Sequence, residues 1–248
     1  WLRLLFCEEK MRYALYIAVL LGAISLGSCK KAMTKMTIEQ NLEQFDSIVL
    51  NSVFEVHLIQ GTSNSIKLEG ATKILEKVEF SVENNTLTIE NNYRGNWMHP
   101  KNNKVLVYIT VDTLNLITAN ETCNILSDNQ LVTDELGLIM KSKLNNASLN
   151  VNCNTFYYWN NFPCGGKVTV KGICNEVKIW NVAIMAVDAK ELSSQFGYVE
   201  NASKGDVFVN CAQKLSYKLT GEGNIHVAGN PPVIEKLEES GKGTLIIE

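Results

Sequence analysis

Phe156-Tyr157-Tyr158-Trp159 and, 21 residues on, Val177-Lys178-Ile179-Trp180 are the stretches whose reading decides the fold. Both are rich in aromatic and β-branched side chains, which suit a pleated, half-buried strand. Successive side chains of a strand point to opposite faces. If Phe156, Tyr158, Val177 and Ile179 face a core, then Tyr157, Trp159, Lys178 and Trp180 face outward. The two runs belong to a longer repeat. Branched or aromatic residues open strands at Leu114, Leu136, Phe156, Val177, Leu192, Leu215 and Leu237, at intervals of 22, 20, 21, 15, 23 and 22 residues. Turn residues separate them: Asn145-Asn146, Pro163 with Gly165-Gly166, Gly205-Asp206, Gly221-Glu222-Gly223, Gly229-Asn230-Pro231-Pro232 and Gly241-Lys242-Gly243. A recurring period of this size is the signature of a solenoid. Each unit holds two or three short strands and cannot bury its apolar side alone, but units stacked about 4.8 Å apart as parallel coils can. The spacing predicts an all-β chain: a short right-handed parallel β-helix over residues 114–248, preceded by a β-rich N-terminal part. An antiparallel sandwich with accidental spacing is the alternative.

The preceding part, residues 42–113, also reads as strands. Residues 53–59 alternate imperfectly and end at Gln60-Gly61, and residues 65–70 make a second strand. Residues 71–77 alone have helical spacing. Residues 78–82 and 87–90 flank Asn84-Asn85, and Asn tolerates the positive φ angles of a tight hairpin turn. Residues 91–103, with Gly95, Pro100 and many amides, read as a loop. A strand follows with apolar side chains at 105, 107, 109 and 111.

Residues 1–28 read as a targeting segment of the lipoprotein type, with Met11 as a plausible start. Arg12 supplies the charge, and residues 13–25 are apolar but too short to span a bilayer, which takes roughly 20 such residues. Leu26-Gly27-Ser28-Cys29 follows and resembles the bacterial lipobox, whose cysteine receives diacylglycerol and palmitate. Residues 29–41, with Lys30, Lys31 and Lys35, read as a lipidated polar tether. The expected location is the outer membrane, held by lipid on Cys29, with the periplasmic and surface faces both open.

Composition narrows the chemistry. Net charge is −3, and removal of residues 1–28 takes away three basic and two acidic side chains, which moves it to −4. That balance, with no basic block, argues against nucleic acid. The three histidines, His57, His99 and His226, lie far apart with no metal-ligand spacing; His57 reads as a residue at a sheet edge. Arg94 is the only arginine after Cys29, and Asp134-Glu135, Asp188, Glu191 and Asp206 fall mainly at strand ends and turns, not as a paired set. Enzymes on this fold cluster carboxylates with Lys or Arg on one face. No catalytic residue, metal or cofactor is expected. Five cysteines follow Cys29: Cys123, Cys153, Cys164, Cys174 and Cys211. An odd number without a CxxC spacing argues against a disulfide framework. Their coil registers match in two groups, Cys123 with Cys164 and Cys153 with Cys174 and Cys211, as small buried residues of an interior ladder would. Asp46-Ser47-Ile48 and Asp112-Thr113-Leu114 match a three-residue O-glycosylation signal of exported proteins, which leaves Ser47 and Thr113 as candidate modified residues.

Several segments carry a resemblance when read in order. They are Phe45-Asp46-Ser47-Ile48, Val56-His57-Leu58-Ile59-Gln60-Gly61, Leu87-Thr88-Ile89, Gly221-Glu222-Gly223-Asn224-Ile225, Gly229-Asn230-Pro231 and Ser240-Gly241-Lys242-Gly243-Thr244. Over residues 42–248 the chain is similar to the GIN domain, a family labelled "putative auto-transporter adhesin head". It departs at Asn120-Glu121-Thr122, Lys143-Leu144-Asn145 and Phe196-Gly197-Tyr198, where the family often has glycine-serine pairs. The resemblance implies a β-helical, exported Gram-negative protein working in adhesion or surface structure. The reading is thus a non-enzymatic, lipid-anchored envelope protein, an adhesin or a binding or structural module. A periplasmic structural or regulatory module is the alternative, and a polysaccharide-active enzyme a more distant one. Tyr157, Trp159, Lys178 and Trp180 are the candidate ligand-binding or interface residues. A loop of the chain, a second copy of the chain, a glycan or a host-surface ligand is expected to cover them.

Overall fold

The computed structural model describes residues 34–94, 104–161 and 163–248. The signal segment, Cys29 and His99 lie outside the described residues. Among the described residues, seventeen strands and one short helix run in order: β1 (Lys35–Asn41), β2 (Ser47–Leu50), β3 (Phe54–Gln60), β4 (Ser65–Ala71), α1 (Thr72–Leu75), β5 (Val78–Glu83), β6 (Thr86–Asn91), β7 (Leu106–Val111), β8 (Leu116–Ala119), β9 (Cys123–Ser127), β10 (Leu131–Val132), β11 (Glu135–Met140), β12 (Asn145–Asn160), β13 (Gly165–Ser203), β14 (Val207–Leu219), β15 (Ile225–Ala228), β16 (Val233–Glu239) and β17 (Leu245–Ile247). Together they make a β-solenoid of about six turns with a β-rich N-terminal part. Among the described residues, no helix is long and apolar enough to cross a membrane.

Strand β12 shows how sequence sets the coil. It buries Ala147, Leu149, Val151 and Cys153 at a period of two, then Phe156, Tyr158 and Asn160. The three-residue step from Cys153 to Phe156 breaks the period and turns the chain at a corner. Its first half therefore stacks on β9 and its second on β11. The next coil repeats the pattern in register: Leu149 beside Val170, Cys153 beside Cys174, Phe156 beside Val177, Tyr158 beside Ile179. Parallel stacking puts equal registers about 4.8 Å apart. Apolar residues meet their counterparts above and below, and the interior closes without a second layer.

At the N-terminal end the coils give way to antiparallel pairs. Strand β4 runs antiparallel to β1 and β7, and β5 pairs with β6 as a hairpin through Asn84 and Asn85, at φ 50° and 60°. Both φ values are positive, as the turn chemistry requires. Helix α1 occupies the middle of the predicted helical stretch and buries Ile74 and Leu75. Strands β2 and β3 already stack in parallel on β8 and β9. The sheet thus runs across the expected boundary at residue 113 without a break.

Four expectations are corrected here. Residues 35–41 are strand β1, not tether; every side chain but Ile38 is exposed, so no apolar alternation betrayed the strand. Leu192 does not open a coil: Leu215 pairs with Gly197, and the register slips between Ala189 and Ser193 and again between Ser194 and Phe196. Leu237 does not open one either, since Leu215 stacks on Ile234 and Leu237 sits in the bulge between Lys236 and Glu238, 47% exposed. The repeat also begins one residue after Leu114, because Leu116 stacks on Gly137.

Turns stack as tightly as strands. A Cβ on Gly223 would lie 2.1 Å from the carbonyl oxygen of Gly205, and one on Gly243 would lie 2.2 Å from that of Gly223. Only glycine lets one turn rest on the next. Buried Asn181 and Asn201 satisfy the backbone beside these turns: Asn181 Nδ2 donates to Met185 O (2.9 Å) and Asn201 Oδ1 (3.2 Å), and Asn201 Nδ2 donates to Gly223 O (3.1 Å). Buried polar groups need such partners.

Candidate functional site

Strands β11, β12 and β13 stack three outward columns side by side. Glu135, Thr155 and Glu176 form one, Gly137, Tyr157 and Lys178 the next, and Ile139, Trp159 and Trp180 the third. Between these columns Leu136, Leu138, Phe156, Tyr158, Val177 and Ile179 are buried. The alternation therefore places Tyr157, Trp159, Lys178 and Trp180 on the outer side, with Trp159 beside Trp180 on adjacent coils. Trp159 is 38% exposed. Glu135, Ile139 and Thr155 join the four to line an open groove of about 520 Å³.

Tyr157 shows how the groove is shaped. Its ring lies over Gly137, where a Cβ would come within 2.1 Å of Cζ and 2.3 Å of the hydroxyl. Glycine at 137 is what lets the ring lie flat on the neighbouring coil. Burial, helped by the carboxylate of Glu135, raises the Tyr157 pKa. The aromatic line continues into the next coil, where the Tyr198 ring lies 5.6 Å from that of Trp180, tilted by 46°. Tyr198 Oη donates to Glu200 Oε2 (3.1 Å), and Lys218 Nζ stands 3.6 Å from the same oxygen. Lys178 is paired with Glu176 at 2.8 Å. Phe196, 44% exposed, shares the outer face of the Tyr198 coil. Charged side chains thus interleave with the rings, which stay partly exposed.

Sequence reasoning missed Gly137, Phe196 and Tyr198 and read Glu135 only as a solvated strand end. A signal for Tyr198 existed, because 196, 198 and 200 alternate outward as 157 and 159 do. The misplaced opener at Leu192 hid it by shifting the coil out of register.

The other candidates lie elsewhere in the fold. His57 is not at a sheet edge, because β3 has β7 and β9 on its two sides. Its Nδ1 lies 2.7 Å from Asp128 Oδ1, and the ring stacks on Tyr108 at 4.8 Å. His226 stacks on Phe208 at 4.2 Å, with carboxylate oxygens of Asp206 and Glu248 at 3.7 and 3.5 Å. Asp188 pairs with Lys167 at 2.9 Å. All five described cysteines are free and buried. Cys153 stacks on Cys174, and Cys211 stands beside Ser194, whose hydroxyl lies 3.4 Å from its sulfur. Cys123 and Cys164 do not share a register as expected. Asn145 links them instead, accepting from the Cys123 amide (2.9 Å) and donating to Cys164 Sγ (3.6 Å). Burial pushes Cys123, Cys153 and Cys174 up to about 12. Ser47 donates its hydroxyl to Asp46 (2.8 Å), and Thr113 is exposed.

Residues 44–231 match the family described as "Putative auto-transporter adhesin, head GIN domain". No curated protein matches the chain. Among solved structures, a "putative adhesin" from Bacteroides fragilis aligns with TM-score 0.80 at 19% identity, over 88% of this chain and 98% of that one. A "putative adhesin" from Parabacteroides distasonis aligns with TM-score 0.62 at 16% identity, over 88% and 98%. A "putative lipid binding protein" from the same species gives 0.61 at 14%, over 87% and 98%. At these identities the likeness is one of fold.

Proposed function

The chain belongs to the head GIN-domain family, and we propose that it is a lipid-anchored, non-catalytic adhesive module of the bacterial outer membrane with the aromatic groove as its contact surface. One observation carries the reading: Trp159 and Trp180 stand side by side on adjacent coils, facing out, in line with Tyr157 and Tyr198. Apolar area left in water costs about 25 cal/mol per Å², so a line of outward rings is kept for something that covers it. The lipobox ending at Cys29 supports the anchor.

Two measurements test the reading. The double variant Trp159→Ser/Trp180→Ser should abolish attachment of the protein to its target surface and leave the far-ultraviolet β signal unchanged. Unchanged attachment would remove the groove from the account. Protease added to intact cells should digest the wild-type domain, and Cys29→Ala should move the protein from the membrane pellet to the soluble fraction, since stable anchoring takes more than one acyl chain and the lipidated cysteine supplies them. Complete protection of the wild type would favour the periplasmic module instead.

A further inference from the structure

We propose that the groove binds an unbranched glycan free of acidic groups, laid along the solenoid axis with successive sugar rings against Tyr157, Trp159, Trp180 and Tyr198. The inference rests on the reading of this face as the contact surface and names what it contacts.

Three features lead to that occupant. The first is repeat. The rings stand on three successive coils about 4.8 Å apart, Tyr157 and Trp159 on one and Trp180 and Tyr198 on the next two, and Tyr157 leans over the coil of Gly137, so the ring surface extends along the axis across four coils. A linear polymer of flat units meets such a ladder one unit per rung. A sugar ring has a C–H-rich face that lies on an aromatic side chain and an edge of hydroxyls that needs polar partners. The second feature supplies those partners. Charged side chains flank the rings: Glu135 lines the groove, the pair Glu176–Lys178 lies beside Tyr157 and Trp180, and the pair Glu200–Lys218 lies beside Tyr198. The buried centre of a protein–protein interface is depleted of such charges, so a second copy of the chain fits this face poorly. The groove is also open, as a chain lying in it needs, and of a volume usual for ligand sites.

The third feature is charge balance. Lys178 and Lys218 already face Glu176 and Glu200, whereas Glu135 faces no cation among the described residues. The groove therefore carries one uncompensated carboxylate beside the Tyr157 ring, which repels uronic or sulfated units and accepts hydroxyl donors from neutral ones.

The test uses the full lipidated chain in detergent, titrated with cellohexaose, N-acetylchitohexaose, mannohexaose and hexagalacturonate, with tryptophan fluorescence and calorimetry as readouts. At least one neutral hexamer should bind, with hexagalacturonate at least about tenfold weaker. Trp159→Ser/Trp180→Ser should weaken neutral binding by roughly a hundredfold, about tenfold for each flat contact removed. Glu135→Lys, an exposed change that spares the rings, should close the gap between acidic and neutral ligands. The inference is overturned if no neutral hexamer binds, or if the double variant binds as the wild type does. If the double variant instead converts a dimer to a monomer while no hexamer binds, the face is a self-association surface; the glycan fails and the contact surface stands. If neither binding nor oligomeric state responds, both readings fall.

Discussion

The two ends of the solenoid meet water in different ways. At the N-terminal end, parallel coils pass into antiparallel pairs and α1 buries Ile74 and Leu75 beside the last rung. The outermost strand there, β1, is polar and exposed, while Ile66 and Leu68 of β4 behind it are fully buried. Strands β16 and β17 at the other end have no helix beside them among the described residues. Six of the seven residues of β16 are exposed, Val233 and Leu237 among them. Glu235 faces Lys214 at 2.8 Å and Glu239 faces Lys236 at 3.2 Å, so charged side chains fill the spaces between the apolar ones. A sheet edge offers unpaired N–H and C=O groups to any passing strand, and charge or a cover blunts it. The comparison teaches that one fold protects its ends by two means, an apolar lid and a charged fringe.

The steepest test of that difference is Leu75→Ala, which should cost about 2–5 kcal/mol in thermal or denaturant unfolding, the range for a deleted buried leucine. A loss below about 1 kcal/mol would mean that the lid is ornamental and the two ends are alike. A smaller effect per thiol for each pH unit lies between the ends. The folded-state pKa of Cys123, Cys153 and Cys174 is near 12, above the unfolded value of 9.0. Their contribution is therefore whole below about pH 9 and is lost as pH rises from 9 toward 12, on the order of 1 kcal/mol per thiol for each pH unit above 9. Thiol reagents at pH 8 should find these three silent in native protein and reactive after denaturation, and native reactivity would show that the middle of the coil is no better sealed than its ends. The smallest effect belongs to Leu237→Ala, expected within about 0.5 kcal/mol of wild type as an exposed change on the charged fringe. A loss comparable to that of Leu75→Ala would erase the contrast.

The coil was legible in the sequence wherever the alternation and the period agreed. Phe156 to Trp159 and Val177 to Trp180 differ by one coil, and the in-and-out pattern follows from the period of two alone. Asn84-Asn85 announced its hairpin through the φ angles it tolerates. Legibility ended where packing overrides period. Leu192 is buried and looks like every other opener, yet the register slips around it, a tertiary adjustment that leaves no mark on hydropathy. Strand β1 is held by backbone pairing to β4 with almost no apolar burial, so its side chains are those of a loop. The groove was half visible. Its two tryptophans could be aligned by counting, whereas Tyr198 lay beyond the miscounted coil and Gly137 matters only through the ring above it.

The stacked turns at Gly205, Gly223 and Gly243 make length a matter of whole steps. A side chain at Gly205, Gly223 or Gly243 would stand about 2 Å from a carbonyl oxygen of the neighbouring turn. A complete unit that brings its own glycine leaves every neighbour as it was. Such a molecule lengthens or shortens by duplicating or deleting a rung, and each rung carries its own share of outer surface. Reach and the number of contact positions then rise together, one coil at a time.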